Sequence, residues 1–268
     1  MLAFTVNGES RDFELQADKV VWHNVSAEEV QAEVYISRWQ RTGGAPLANA
    51  EAPVMVKDGY LNTLSKEAVQ VFLEKTHEAY KAHLGESFGE EIRGVFTDEV
   101  TVMEEFNETK VPRAELPWTP ELPEEFRKRK GYDLIERLPD LVHHRDAKLA
   151  VDYWEVVSEL FMEGYMDTTL EWCKSHHLTY TGHAFGEESM ESTVYRTGDP
   201  YEFYKRFDWP GLDTICTYYR TGDMSFNIAA KKVSSAARFL QKERVLCETF
   251  TLGGWNMQLR DMKRIFNR

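Results

Sequence analysis

Four short apolar runs, each ending in polar or aromatic residues and each parted from the next by a helical stretch, constrain this chain most. They are Ile92-Arg93-Gly94-Val95-Phe96-Thr97 before Asp98-Glu99, Leu178-Thr179-Tyr180-Thr181-Gly182 before His183, Leu212-Asp213-Thr214-Ile215-Cys216-Thr217 before Tyr218-Tyr219, and Arg244-Val245-Leu246-Cys247 before Glu248. Short apolar strands alternating with helices imply parallel βαβ units and an α/β fold. The helices show in the apolar spacing. Ser65 is a natural N-cap for a helix over 66–84 carrying Val69, Phe72, Leu73, Thr76 and Tyr80, and Gly85 a natural stop. A helix over 124–130 is closed by Gly131, and a long one over 146–176 presents Leu149, Tyr153, Val156, Val157, Leu160, Phe161 and Tyr165. Further helices are expected over 227–241 and from Asp261.

No G-x-G-x-x-G follows any strand, which argues against an open doubly wound sheet and for a (β/α)8 TIM-barrel-like arrangement, active at the carboxyl ends of its strands. The barrel is incomplete as read. About five core strands are evident where eight are required, and the early strands and strand 8 are not among them. Residues 1–58 read as a small β-rich segment or barrel insertion, with strand character at Phe13-Glu14-Leu15, Lys19-Val20-Val21-Trp22 and Glu33-Val34-Tyr35-Ile36-Ser37. Residues 59–268 read as the partial catalytic barrel.

Composition narrows the partners. With 32 Lys+Arg against 45 Asp+Glu the formal net charge is −13, and no basic stripe is present, so nucleic acid is not an expected partner. The 13% aromatic content suits a cleft for a ring-shaped ligand. No apolar run approaches the ~20 residues that span a bilayer, so no membrane is expected either. Cys173, Cys216 and Cys247 show no metal-type spacing and read as reduced thiols. Met1-Leu2-Ala3-Phe4 has no basic stretch followed by a long apolar run, so no secretion signal is expected there. The chain as it stands is expected to be cytoplasmic, or secreted or periplasmic if a signal has been lost.

The sharpest chemical feature is Gly94-Val95-Phe96-Thr97-Asp98-Glu99, since two adjacent carboxylates at the rim of a core are unfavourable for folding alone. Adjacent side chains on a strand point to opposite faces, so one carboxylate is expected to face a substrate and the other to hold it in place. Glu248 ends another apolar strand, and Gly253-Gly254 then delivers the Trp255 indole. Strand-end glutamates commonly form salt bridges; the pairing of Glu99 with Glu248 is what raises them. Two carboxylates across one barrel mouth are what glycoside hydrolysis needs, one to protonate the leaving oxygen and one to activate water or attack the sugar. Asp98, His183, Glu187, Tyr218 and Trp255 are the candidate substrate-binding residues, with Tyr219 a further stacking ring. A lone histidine is as often structural as functional. His143-His144 and His176-His177 read as surface pairs, and no H-E-x-x-H motif is present, so no metal site is expected. A metal-dependent hydrolase would instead draw on Asp98, His183 and Glu248.

Several segments together resemble a known family. They are Phe72-Leu73-Glu74-Lys75-Thr76-His77-Glu78-Ala79-Tyr80, Phe88-Gly89, Gly94 to Glu99, Pro117-Trp118-Thr119-Pro120, Phe126, Gly131-Tyr132-Asp133-Leu134, Thr181-Gly182-His183, Pro210-Gly211-Leu212-Asp213, Glu248 before Gly254-Trp255, and Asp261-Met262-Lys263. Over roughly residues 60–265 the chain is similar to the α-L-rhamnosidases of glycoside hydrolase family 106. The resemblance implies a (β/α)8 catalytic domain with Glu99 near the fourth strand and Glu248 near the seventh. It also implies an inverting two-carboxylate hydrolysis of a carbohydrate substrate, with no cofactor beyond a calcium ion that the family admits. Val100 departs from the pattern, since relatives often have Pro after the Asp-Glu pair. Full-length relatives are far longer and carry β-sandwich domains. The alternatives are therefore a non-catalytic carbohydrate-binding protein, or a truncated, inactive fragment whose barrel is completed by missing domains or an oligomer.

Overall fold

The structure, a computed structural model, describes residues 3–12, 14–16, 19–21, 31–35, 61–102, 116–187, 189–214, 225–250 and 257–266. In chain order the strands are β1 (Ala3–Val6), β2 (Glu9–Ser10), β3 (Glu14–Gln16), β4 (Lys19–Val21), β5 (Ala32–Tyr35), β6 (Gly94–Val100), β7 (Thr179–Ala184), β8 (Trp209–Thr214) and β9 (Leu246–Thr249). The α-helices are α1 (Lys66–Lys75), α2 (His77–Leu84), α3 (Leu122–Lys130), α4 (Leu138–Val142), α5 (Ala147–Phe161), α6 (Thr168–Ser175), α7 (Met190–Thr197), α8 (Pro200–Lys205), α9 (Ser225–Phe239) and α10 (Leu259–Phe266). None of them is long and apolar enough to cross a membrane. Residues 1–60 with 107–156 form one compact unit, and residues 61–106 with 157–268 form another.

The first unit holds an antiparallel sheet in the order β2-β1-β5 and the β3–β4 pair. Glu33 on β5 accepts hydrogen bonds from the Tyr35 hydroxyl at 2.9 Å and from His143 Nε2 at the same distance. His143, expected as one of a surface pair, thus ties the end of α4 to the sheet. Gly131, at φ 83, closes α3 in the left-handed conformation that only glycine adopts cheaply.

The second unit is built on a parallel sheet in the order β6-β7-β8-β9, each strand beside its successor. Behind it lie rings from the helices: Phe161 stacks on Phe203 at 6.2 Å, and Phe207 packs against Phe203 at 5.0 Å and Tyr180 at 4.8 Å. Every apolar position assigned by spacing to the long helix, from Leu149 to Tyr165, is buried. That helix is not continuous, however. Its α-helical ladder is interrupted by a π turn over Met162–Asp167, which a 3.6-residue periodicity does not announce. The helix expected over 66–84 also breaks. The Thr76 hydroxyl donates to Phe72 O at 2.7 Å, competing with the helical ladder, and the chain restarts at His77. Tyr80, assigned to the apolar face, is 65% exposed.

One strand boundary differs from the sequence reading. β8 starts at Trp209, three residues before the apolar run that announced it, and takes in Pro210 and Gly211. A proline near the start of a strand costs only the ladder bond its missing N–H would have made, so Pro210 does not stop the strand. Residues 215–217 of the expected strand lie outside the described residues.

Close strand approach requires Gly182. A Cβ there would meet the backbone oxygen of Thr97 on β6 far inside contact distance, with the Phe207 ring also close. Backbone in a central ladder has no room to give. Gly182→Ala is therefore expected to cost about 1–3 kcal/mol through overpacking; thermal melting would show it, and an unchanged melting temperature would refute the close approach.

Candidate active site

The carboxyl end of β6 is bent. Glu99 sits at φ 47, in the left-handed region, and the β6–β7 register shifts between Thr97 and Val100. This bulge re-aims side chains that strict alternation would send to opposite faces. Asp98 and Glu99 each bring a carboxylate oxygen within 4.8 Å of a His183 nitrogen. The strained turn is anchored from behind. Val102 N and the Thr101 hydroxyl both donate to Arg196 O, at 2.8 and 3.1 Å.

β7 delivers His183, whose side chain is 1% exposed. Gly186, at φ 70, then turns the chain so that Glu187 comes back onto the imidazole. His183 Nδ1 lies 2.9 Å from Glu187 Oε1 and 3.2 Å from Ala184 O. Nε2 lies 3.1 Å from Asp98 Oδ1 and 3.4 Å from Glu248 Oε2. Both nitrogens face acceptors only. Such an imidazole carries both protons unless a carboxylate at Nε2 holds one instead. Burial opposes the charge, but the hydrogen bond and charge of Glu187 outweigh it and hold His183 well above the ordinary histidine range, at about 9. Burial likewise pushes the Glu187 carboxyl up, to about 7, against the pull of His183 and Lys232.

β8 and β9 complete the cluster. Asp213 and Glu248 are register partners at the ends of adjacent parallel strands. Asp213 donates its backbone N–H to Glu187 Oε1 at 3.1 Å. Its own carboxylate shares a second group with Glu99 and His183, all within 4.8 Å of one another. The Glu248 side chain is 33% exposed and that of Asp98 68%, whereas Glu187 lies buried behind the histidine. Phe250, just past β9, repeats the positive φ seen at Glu99. Non-glycine residues in this region cluster where a structure holds a functional conformation against local strain.

Asp98, Glu99, His183, Glu187 and Glu248 are therefore neighbours. Tyr218, Tyr219 and Trp255 lie outside the described residues. Two members of the cluster escaped the sequence reading. Asp213 was the second residue of the expected 212–217 run; in the structure it stands opposite Glu248 on the neighbouring strand. Lys232 was hidden in α9, where it lies on the buried face with Ala229, Val233 and Ala236. A lysine at that spacing was its only signal.

Calcium favours about six to eight oxygen ligands. Among the described residues, both groups of candidate ligand atoms centre on a His183 nitrogen, and the hydrogen bonds of His183 account for it as a donor. This donor set does not fit a calcium ion, and no step is routed through one.

No curated protein matches the chain. Among solved structures, the chain is similar to a rhamnosidase from Novosphingobium sp. PP1Y, at 21% identity and a TM-score of 0.58 over 78% of this chain. It spans only 19% of that protein's length. That likeness concerns the fold. The model of the alpha-L-rhamnosidase family matches residues 38–268, most of the sequence, and takes in all four strand ends described above. By that match the chain belongs to glycoside hydrolase family 106, the alpha-L-rhamnosidase family.

Proposed function

We propose that this chain carries the catalytic centre of a glycoside hydrolase that cleaves an α-L-rhamnoside with inversion, Glu99 and Glu248 forming the acid/base pair. Asp98, His183 and the aromatic residues Tyr218 and Trp255 orient the sugar. In this reading residues 59–268 are part of a (β/α)8 barrel, and residues 1–58 a β-rich addition to it. Four consecutive parallel strands in sequential order favour an arc of such a barrel over a doubly wound sheet, in which the order reverses. The observation that carries the chemistry is the convergence of Asp98, Glu99, Asp213 and Glu248, from the ends of three strands, on the buried imidazole of a fourth.

One glutamate protonates the leaving oxygen while the other takes a proton from the attacking water, so the pair must start with one proton between them. We assign the base to Glu248, which lies 3.4 Å from His183 Nε2, and the acid to Glu99.

The test is a screen of aryl glycosides that includes the α-L-rhamnoside, with the released anomer followed by NMR. Release of β-L-rhamnose from the α-linked substrate supports inversion; initial release of the α-anomer overturns it. Sugar binding without any turnover would favour a carbohydrate-binding fragment instead.

A further inference from the structure

Glu187 lies buried against His183, and beside it stands a second buried charge. Lys232 Nζ donates to Glu187 O at 3.0 Å and to the Thr193 hydroxyl at 2.7 Å. Both residues are buried, Glu187 3% and Lys232 7% exposed. An ammonium and a carboxylate are not carried into a core without a compensating purpose, since each costs several kcal/mol to desolvate. Lys232 on α9 thus holds the main-chain oxygen of Glu187, the Glu187 carboxylate meets His183 Nδ1 on β7, and Nε2 faces Asp98 on β6 and Glu248 on β9.

We propose that Glu187 and Lys232 are positioning residues that keep His183 doubly protonated, with its Nε2–H held between Asp98 and Glu248 as their shared donor. The role given to Glu248 rests on the reading of the site as a glycosidase centre; the state of His183 does not.

The groups facing the imidazole support this reading. They are Asp98 and Glu99 from β6, Glu187 from the turn after β7, Asp213 from β8 and Glu248 from β9. Lys232, the cation named among them, sits on the far side of Glu187 and favours that carboxylate's charge. A neutral histidine would leave a lone pair facing either Glu187 or the Asp98–Glu248 pair. At Nε2 that lone pair would be bridged only if one of those two carboxyl groups carried the proton instead. The Phe96 ring lies 5.7 Å from the imidazole.

The experiment is a pH titration of the full chain with 15N-labelled histidine, reading the ring nitrogens of assigned His183 by NMR. In the wild type both nitrogens should stay protonated at pH 7 and through pH 8. Glu187→Gln should lower the midpoint by at least about one pH unit, Lys232→Met by less, and Glu187→Asp should restore most of the shift. On an aryl rhamnoside, Glu187→Gln should lower kcat and Glu187→Asp should restore most of it. A neutral His183 at pH 7 in the wild type overturns the proposal. So does a midpoint that Lys232→Met leaves where it was, which keeps the idea testable if Glu187→Gln fails to fold. Added calcium or zinc that displaces the Nε2 proton also overturns it. A chain that titrates as expected yet cleaves no glycoside would sink the glycosidase reading alone.

Discussion

Glu99→Gln and Glu248→Gln are each expected to lower turnover of an aryl α-L-rhamnoside by about 10²–10⁴-fold, the usual loss when a positioned acid or base is removed. Glutamine keeps the size and the hydrogen-bonding shape and removes only the ionisable group. Glu248 is partly open to solvent, and Glu99 holds a left-handed backbone that glutamine tolerates no worse. Melting temperatures should therefore stay near that of the wild type. Because both groups serve one transition state, the double variant should be little worse than the poorer single one. If Glu248→Gln melts early while its folded fraction turns over normally, Glu248 is a structural residue and the pair is misassigned.

His183→Ala should behave in the opposite way, with a large loss of stability. It strips the shared partner from the buried Glu187 and from Asp98 and Glu248, and breaking one side of a buried ion pair costs about 3–5 kcal/mol. The pH dependence has a definite sign. His183 and Glu187 are both raised above their ordinary values, to about 9 and about 7, so the folded state binds more protons than the unfolded chain. Stability must then fall as pH rises. The contribution of His183 is complete below its unfolded value near 6.5 and is lost as pH climbs through about 9. The cost of ionising Glu187 develops between 4.5 and about 7. Denaturant unfolding of the wild type should show this decline between about pH 6.5 and 9, and a folded His183 variant should show it flattened. A wild type that gains stability across that window would refute the assigned charge states.

Local pattern alone carried the α/β class, the apolar face of the helix that includes Leu149 to Phe161, and the strand ends bearing Asp98-Glu99, His183 and Glu248. A buried strand has to be apolar and has to end where polar residues begin, and a helix must repeat its apolar positions every three to four residues. Those requirements are written in neighbouring residues. The bulge at Glu99 is of another kind. It depends on β6 staying paired with β7 as far as Ala184, which alternation, a property of one strand, does not announce. The turn at Gly186 that folds Glu187 back onto His183 and the register that sets Asp213 beside Glu248 are likewise products of strand pairing. Lys232 shows the limit most plainly. On its helix it reads as a polar interruption of the buried face, and only the packing of α9 against β8 and the Glu187 turn sets its charge behind the histidine. Burial and charge pairing join residues far apart in sequence, and no local spacing encodes which of them will meet.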